Sequence, residues 1–195
     1  MALPDTLKIV RGTTLVFADQ DSYNPTQNQP AQGNTDGDID LNGSGTGIGT
    51  GGVAWQSEKL DLGSVNLDAE LVVTAYLEFF SSPTAGGTVD LYCGFSDSDT
   101  AGTNNPANLS GADEVFQGYG GDTDSGTEAL KQLEFIGSLV ATEDTDLQVA
   151  QVGTIRPKAR YMMLVVVNNT DVALCATDAI ETAVAITPLQ YQVQD

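Results

Sequence analysis

Histidine is absent from this sequence of 195 residues, and its absence limits the chemistry that the chain can perform. Histidine is the commonest side chain for acid–base catalysis near neutral pH and the commonest metal ligand in proteins. A Ser-His-Asp or Cys-His catalytic site within this chain is therefore excluded.

Positive charge is also scarce. Seven Lys and Arg residues stand against 27 Asp and Glu residues, which gives a formal net charge of −20. Proteins bind nucleic acids mainly because Lys and Arg neutralise phosphates. We therefore expect neither a nucleic acid nor an anionic membrane as a partner. Nineteen of the acids are Asp, which favours turns and caps, so we expect the acids to line loops.

Cysteines and long apolar runs are few as well. Cys93 and Cys175 do not make a disulfide framework, and Cys93, in DLYCGF, is interpreted as a small buried apolar residue. A bridge between the two cysteines stays open. No apolar run approaches the ~20 residues that cross a bilayer, and MALPDTLKIVRG lacks the apolar centre of a signal peptide. We expect a soluble protein that is made in the cytoplasm and uses no cofactor.

Segments with strand-like alternation recur along the chain. Residues 71–80 place Leu71, Val73, Ala75, Leu77 and Phe79 on one face at a period of two. Residues 161–167, YMMLVVV, are apolar on both faces, which is typical of a central strand covered on both sides. The other predicted strands are 13–18, 53–62, 89–95, 133–140, 147–152 and 180–187.

These strands are separated by turn-rich segments, and helical periodicity is confined to a turn or two within 105–116 and 125–133. The pattern predicts an all-β protein: a single antiparallel β-sandwich over residues 1–195, jelly-roll-like, with long loops and an extended N-terminal region. Residues 19–52 hold many Asn and Gln and eight of the 21 glycines, so we predict an arm or a long loop there.

The stretch GDIDLNG resembles the start of a calcium-binding loop. Asp38, Asp40 and Asn42 would fill positions one, three and five, but position twelve, which needs a bidentate glutamate, is Gly49. We therefore favour a solvated or arm-like loop over a metal site, while weak calcium binding stays open.

Six carboxylates raise the alternative of glycoside hydrolysis by an acidic pair: Asp97, Asp99, Asp113, Glu114, Asp122 and Asp124. Acids are abundant throughout the chain and Trp55 is its single tryptophan, so we predict that the protein is not an enzyme. The sequon Asn168-Asn169-Thr170 is interpreted as a turn after a strand.

Basic residues are the candidate partner-binding sites. Arg156, Lys158 and Arg160 hold three of the seven positive charges within five residues and would share one face of an extended segment. They form either a solvated turn or a docking point for an acidic surface. Lys8 and Arg11 are further candidates.

Two longer passages carry a resemblance to a known group of proteins. TAGGTVDLYCGFSDSDTAGTNNPANLSGADEVFQG and LKQLEFIGSLVATEDTDLQVAQVGTIRPKARYMMLVVVNNTDVAL, about half of the chain, resemble small virion structural proteins of tailed bacteriophages. The resemblance implies a non-enzymatic subunit of the virion, made in the host cytoplasm, and most simply a head decoration (cement) protein that bridges copies of the major capsid protein. A homotrimer is expected. The alternatives are a tail, fibre or baseplate subunit with a glycan-binding sandwich and, less favoured, a carbohydrate-active enzyme.

Overall fold

The computed structural model describes residues 6–21, 23–24, 36–41, 53–63, 69–119, 123–174 and 182–194. In chain order its strands are β1 (Thr6–Arg11), β2 (Leu15–Ala18), β3 (Gly37–Asp38), β4 (Val53–Gln56), β5 (Leu60–Asp61), β6 (Glu70–Leu77), β7 (Thr88–Ser96), β8 (Glu114–Val115), β9 (Glu134–Val140), β10 (Gln148–Ile155), β11 (Tyr161–Asn168) and β12 (Ala183–Gln194). One helix, α1, covers Thr123–Leu130, and a 3-10 turn covers Pro106–Asn108.

The strands form two six-stranded sheets that pack face to face. Sheet A has the order β10-β6-β12-β2-β3, with β1 also on β12, and sheet B has the order β8-β4-β11-β7-β9, with β5 also on β11. Every pair is antiparallel except β2 with β3. The prediction of an all-β sandwich is therefore confirmed.

The strand pairing also explains the jelly-roll topology. Four antiparallel pairs are nested within one another along the chain: β2 with β12, β4 with β11, β6 with β10, and β7 with β9. Such nesting is what results when one long two-stranded ribbon wraps into two sheets. The long connections that the wrapping needs are the Gly-, Asp- and Pro-rich segments of the sequence.

Strand β11 is the centre of sheet B and is covered on both faces. Met162, Leu164 and Val166 point into the core between the sheets. Met163, Val165 and Val167 point the other way, into a second apolar cluster closed by Leu109, Phe116, Ala129 and Leu133. The prediction from YMMLVVV is confirmed, because a strand buried on both faces needs apolar residues at every position.

Several predicted strand boundaries differ from the structure. Predicted strand 53–62 is two strands, because its pairing with β11 is interrupted after buried Ser57. The Ser57 hydroxyl still accepts the N–H of Leu164 at 2.9 Å, but the next N–H, of Glu58, donates to the Asp38 carbonyl in sheet A. Predicted strand 180–187 is longer, since β12 continues to Gln194. Strands β1, β3 and β8 were not predicted. The predicted helical turns are present as the 3-10 turn and as α1, which begins before the predicted segment.

The N-terminal region is part of sheet A from Thr6 onward. Strands β1 and β2 run one after the other along the same edge of β12, pairing with Leu189–Gln194 and with Val184–Ile186. Within the predicted arm or loop at 19–52, β3 joins sheet A, and Ile39 and Leu41 are fully buried in the core. Residues 22, 25–35 and 42–52 of that tract lie outside the described residues.

Among the described segments, no helix is both long and apolar enough to span a membrane.

Candidate functional site

The predicted basic segment lies on the connection between β10 and β11, where the chain passes from sheet A to sheet B. Each of its cations is bound to an acid of the same chain: Arg156 to Glu70 at 3.3 Å, Lys158 to Glu134 at 2.6 Å, and Arg160 to Asp61 at 2.7 Å. Glu70 belongs to sheet A, whereas Glu134 and Asp61 belong to sheet B. The segment therefore fastens the connection to both sheets.

Arg160 makes the most directional of these contacts. Its Nε and a terminal nitrogen donate to the two oxygens of Asp61 at 2.9 and 2.7 Å, and its guanidinium lies 5.4 Å from the centre of the Tyr161 ring. The hydrogen bond from Arg160 lowers the pKa of the Asp61 carboxyl below its usual value. Such a pair is already satisfied, so it offers little to a docking partner.

Lys8 and Arg11 are exposed like these residues, but neither forms an ion pair within the described part of the chain. They lie on β1, which pairs with the last six residues of β12. Strand β6 pairs with β12 only as far as Leu189. Residues 6–11 and 189–194 therefore form a two-stranded extension of sheet A, which we call the terminal ribbon.

The terminal ribbon exposes apolar side chains as well as cations. Ile9 and Tyr191 lie directly opposite each other, and their exposed fractions are 57% and 51%. At about 3.4 Å per residue, the five residues beyond Leu189 extend about 17 Å past the end of β6. Over that length the described strands leave both edges of the ribbon unpaired.

A second feature is a cavity of about 660 Å³ at the β8 edge of sheet B, which we call the β8 pocket. It is lined by Trp55, Gln56, Gly102, Asn108, Leu109, Ser110, Asp113, Glu114, Val115, Gln117 and Gly118. None of these is a cation. Gln56 is buried and joins the walls, since its Oε1 accepts the N–H of Ser110 at 2.9 Å.

Asp113 is the half-buried acid of the β8 pocket. Its Oδ1 accepts two hydrogen bonds, from the indole Nε1 of Trp55 at 2.6 Å and from the backbone N–H of Asp40 at 2.8 Å. Burial nevertheless raises the pKa of the Asp113 carboxyl, with smaller contributions from the charges of Asp38 and Asp40. The folded protein therefore tolerates the Asp113 charge less well than the unfolded chain does.

The Asp113→Asn variant is expected to change how stability depends on pH. A raised folded pKa means that the folded state holds this proton more tightly, so stability falls as pH rises from the unfolded pKa through the folded pKa. The amide introduced by this substitution keeps an acceptor for both N–H groups but does not titrate. Urea unfolding of both proteins from pH 4 to pH 8 should show the wild type losing stability relative to D113N as pH rises.

The control is Glu114→Gln, the same change at the neighbouring exposed acid. A difference between wild type and D113N that stays constant across this pH range would contradict the assignment of a raised pKa to Asp113.

The loop that walls the β8 pocket has an unusual backbone. Asn104, Ala107 and Asn108 have φ values of 56°, 53° and 57°, in the left-handed region that non-glycine residues rarely adopt. Lys59 holds the start of this loop: its Nζ donates to the carbonyl oxygens of residues 98, 100 and 103 at 2.8, 2.8 and 2.9 Å. Backbone strain of this kind persists only where surrounding contacts fix it.

The calcium-like stretch has a structural role in the described residues. The Asp38 carboxylate accepts the N–H of Gln20 at 2.9 Å, and the Asp38 carbonyl accepts the N–H of Glu58 at 2.9 Å. The alternation D-I-D-L places Ile39 and Leu41 inward. Asn42 lies outside the described residues, and no group of three acids or cysteines within the described ranges is arranged to hold a metal ion.

Four of the six predicted carboxylates are described, and they have different surroundings. Asp97 and Asp99 lie near the Lys59 ammonium, whereas Asp113 and Glu114 line the β8 pocket. Asp122 and the side chain of Asp124 lie outside the described residues. Spacing along the chain offered no means of separating these two groups.

The remaining predictions concern buried residues. Cys93 is buried, as predicted, and burial raises the pKa of its thiol, which is free in the structure; Cys175 is outside the described residues. The sequon is a turn, as predicted: Asn168 is buried at the end of β11, and its amide donates to the carbonyl of Val172 at 2.8 Å.

Comparison of the chain with protein-family models and with curated proteins finds no match. The terminal ribbon was missed as a whole, although PLQYQVQ alternates apolar and polar residues as a strand does. The β8 pocket is built by loop residues whose spacing carries no signal.

Proposed function

We propose that this chain is a non-enzymatic structural subunit of a bacteriophage virion, acting by binding, and that it is a head decoration protein that bridges copies of the major capsid protein. The terminal ribbon is the observation that carries the proposal. The ribbon exposes apolar side chains and open strand edges, features that a protein acting alone has reason to avoid.

The physical argument concerns the stability of the ribbon. An isolated two-stranded β-ribbon is marginally stable in water, and a third strand or a packed face is needed to secure it. Open strand edges also invite pairing with another chain, and soluble proteins usually protect them. A ribbon with exposed Ile9 and Tyr191 opposite each other is therefore completed by a neighbour.

Three further observations support the proposal. Jelly rolls recur among viral capsid and lectin domains, although an architecture alone does not fix a function. A net charge of −20 keeps the free subunit soluble and self-repelling until a specific surface holds it. The resemblance of half of the sequence to small virion proteins of tailed phages points the same way.

The test is binding to heads that lack this protein. Added wild-type chain is expected to bind at regular lattice positions visible by electron microscopy and to raise the melting temperature of the heads. The control is the same measurement on purified tails. Binding to tails alone would make the chain a tail subunit, and binding to neither particle would refute a virion role.

A further inference from the structure

We propose that the β8 pocket of one copy of this chain receives the terminal ribbon of a second copy, with Lys8 and Arg11 of the ribbon lying against Asp113 and Glu114 of the pocket. This inference rests on the proposed function only in taking the ribbon as a docking element. It names the partner, and self-association can be measured without any viral particle.

The first argument is the distribution of positive charge. Of the seven basic residues, three are held in ion pairs on the β10–β11 connection, Lys59 is enclosed by loop carbonyls, and Lys131 is a single exposed cation just after α1. Lys8 and Arg11 are exposed and, among the described residues, unpaired, and no acid lies on the ribbon within residues 6–11 and 189–194. On so acidic a protein the ribbon is thus a local cationic element, complementary to the acidic surface of another copy.

The second argument is the chemistry of the β8 pocket. Asp113 and Glu114 present hydrogen-bond acceptors and negative charge, and the lining contains no Lys or Arg. An anionic or wholly apolar occupant would leave these carboxylates desolvated without compensation. A guanidinium or ammonium group supplies both the donors and the opposite charge, and Arg carries five N–H donors for this purpose.

The third argument is that edges and apolar patches also match. Strand β8 is the last strand of sheet B in the described structure, so its outer edge is open, as is the outer edge of β1. An extended strand added to such an edge gains main-chain hydrogen bonds. Val115 on β8 is 39% exposed and offers an apolar contact for Ile9 or Tyr191.

The contact joins two different surfaces, so it is heterologous. A heterologous contact repeated between identical subunits either closes into a ring or continues as a filament. The homotrimer expected from the sequence is one closed form of this arrangement.

Charge reversal tests the contact on the full chain. Analytical ultracentrifugation of the wild type should show a concentration-dependent oligomer. K8E/R11E and E114K should each raise the dissociation constant about tenfold or more, because close charge pairs across an interface become repulsive. K8E/R11E/E114K, which reverses the ribbon and position 114 but leaves Asp113 acidic, should associate more tightly than K8E/R11E, because the new lysine faces the new glutamates. K131E and E143K make the same changes at exposed positions elsewhere and should leave association unchanged.

Circular dichroism must show each variant folded, and E114Q, which removes the charge without reversing it, replaces E114K if that variant does not fold. A wild type that stays monomeric overturns the proposal. So does an oligomer whose dissociation constant changes in neither reversal, or a folded triple variant that associates no more tightly than K8E/R11E. A chain that self-associates in this way yet fails to bind heads would refute the viral role alone.

Discussion

Replacing Gly137 by alanine is expected to lower the free energy of unfolding by about 3 kcal/mol or more, because the added methyl group has no space to occupy. A Cβ at this position would lie 2.8 Å from the carbonyl carbon of Val152 and would overlap its oxygen. The obstacle is backbone of the neighbouring strand, which cannot rotate away as a side chain can. Urea unfolding followed by circular dichroism measures the loss.

Gly153 on β10 makes the reciprocal close contact with β9. A Cβ at Gly153 would overlap the carbonyl oxygen of Ile136 and lie 3.1 Å from its carbon. The two residues whose carbonyls approach a glycine each lie in a β-bulge. Ile136 has no partner in the pairing of β9 with β7, and Val152 has none in the pairing of β10 with β6. The two bulges turn the carbonyls of β9 and β10 toward each other's glycine, where the sheets meet at one side of the sandwich.

This geometry predicts coupling between the two positions. Once Gly137→Ala has moved the strands apart, Gly153→Ala should cost less than it does alone, so the double variant should be less destabilised than the sum of the single variants. The control is Gly63→Ala, where φ is 59° but no atom lies within 4 Å, and we expect a loss of about 1 kcal/mol. Equal losses at positions 63 and 137 would contradict the close-crossing explanation.

The sequence contained the signal for these glycines, but only in part. In F-I-G-S and Q-V-G-T a lone glycine interrupts a strand pattern, which indicates a bulge or a close backbone approach. Which strand approaches which glycine depends on the pairing of the two sheets, and no local pattern encodes that. The strands themselves were predictable because burial on one face or both faces leaves a periodic record, as in β6 and β11.

The terminal ribbon shows why one strand boundary was missed. Pro188 interrupts the segment, and proline removes a backbone donor from a sheet. In the structure the Pro188 carbonyl accepts the N–H of Gly12, in the short break between β1 and β2. In an antiparallel strand the backbone N and C=O of one residue face the same neighbouring strand. The N–H that proline lacks would therefore have pointed at the break between β1 and β2, so its absence costs little stability.

The basic segment shows a different limit of prediction from the sequence. Its three cations lie within five residues of one another, so a shared surface was predictable. Two of their partners, Glu70 and Asp61, lie 86 and 99 residues away from Arg156 and Arg160. Only the fold brings these acids within reach. Residues near in sequence were thus predictable as a group, whereas their contacts were not.

Lys59→Met is expected to lower the free energy of unfolding by about 2–3 kcal/mol, since hydrogen bonds to charged groups contribute more than neutral ones. The Lys59 ammonium donates to three loop carbonyls and to the Ser96 hydroxyl, at 2.8–3.1 Å. Burial lowers the pKa of Lys59, with the charges of Asp99 and Asp97 opposing the shift. Methionine keeps the length of the side chain but removes the ammonium, so the carbonyls of residues 98 and 103 must share the single Ser96 hydroxyl as their donor.

Lys59→Met should destabilise the loop locally as well as lower the global free energy of unfolding. Hydrogen exchange at residues 98–104 of K59M should quicken more than exchange in β11, because these residues face the ammonium directly. Lys131→Met, at an exposed lysine just after α1, is the matched control and should change stability by less than about 0.5 kcal/mol. Lys59→Arg should not restore the wild-type value, since a planar guanidinium does not fit a site shaped for a compact ammonium.

Lys59→Met also tests whether the stability of this loop affects association between copies. Gly102 lies within the loop that Lys59 holds and also lines the β8 pocket. Loosening this wall without altering Asp113 or Glu114 should weaken association between copies while leaving the charges of the pocket intact. If K59M loses stability but associates as tightly as wild type, the pocket wall at Gly102 takes no part in holding the ribbon. The contact then depends on the carboxylates and the β8 edge alone.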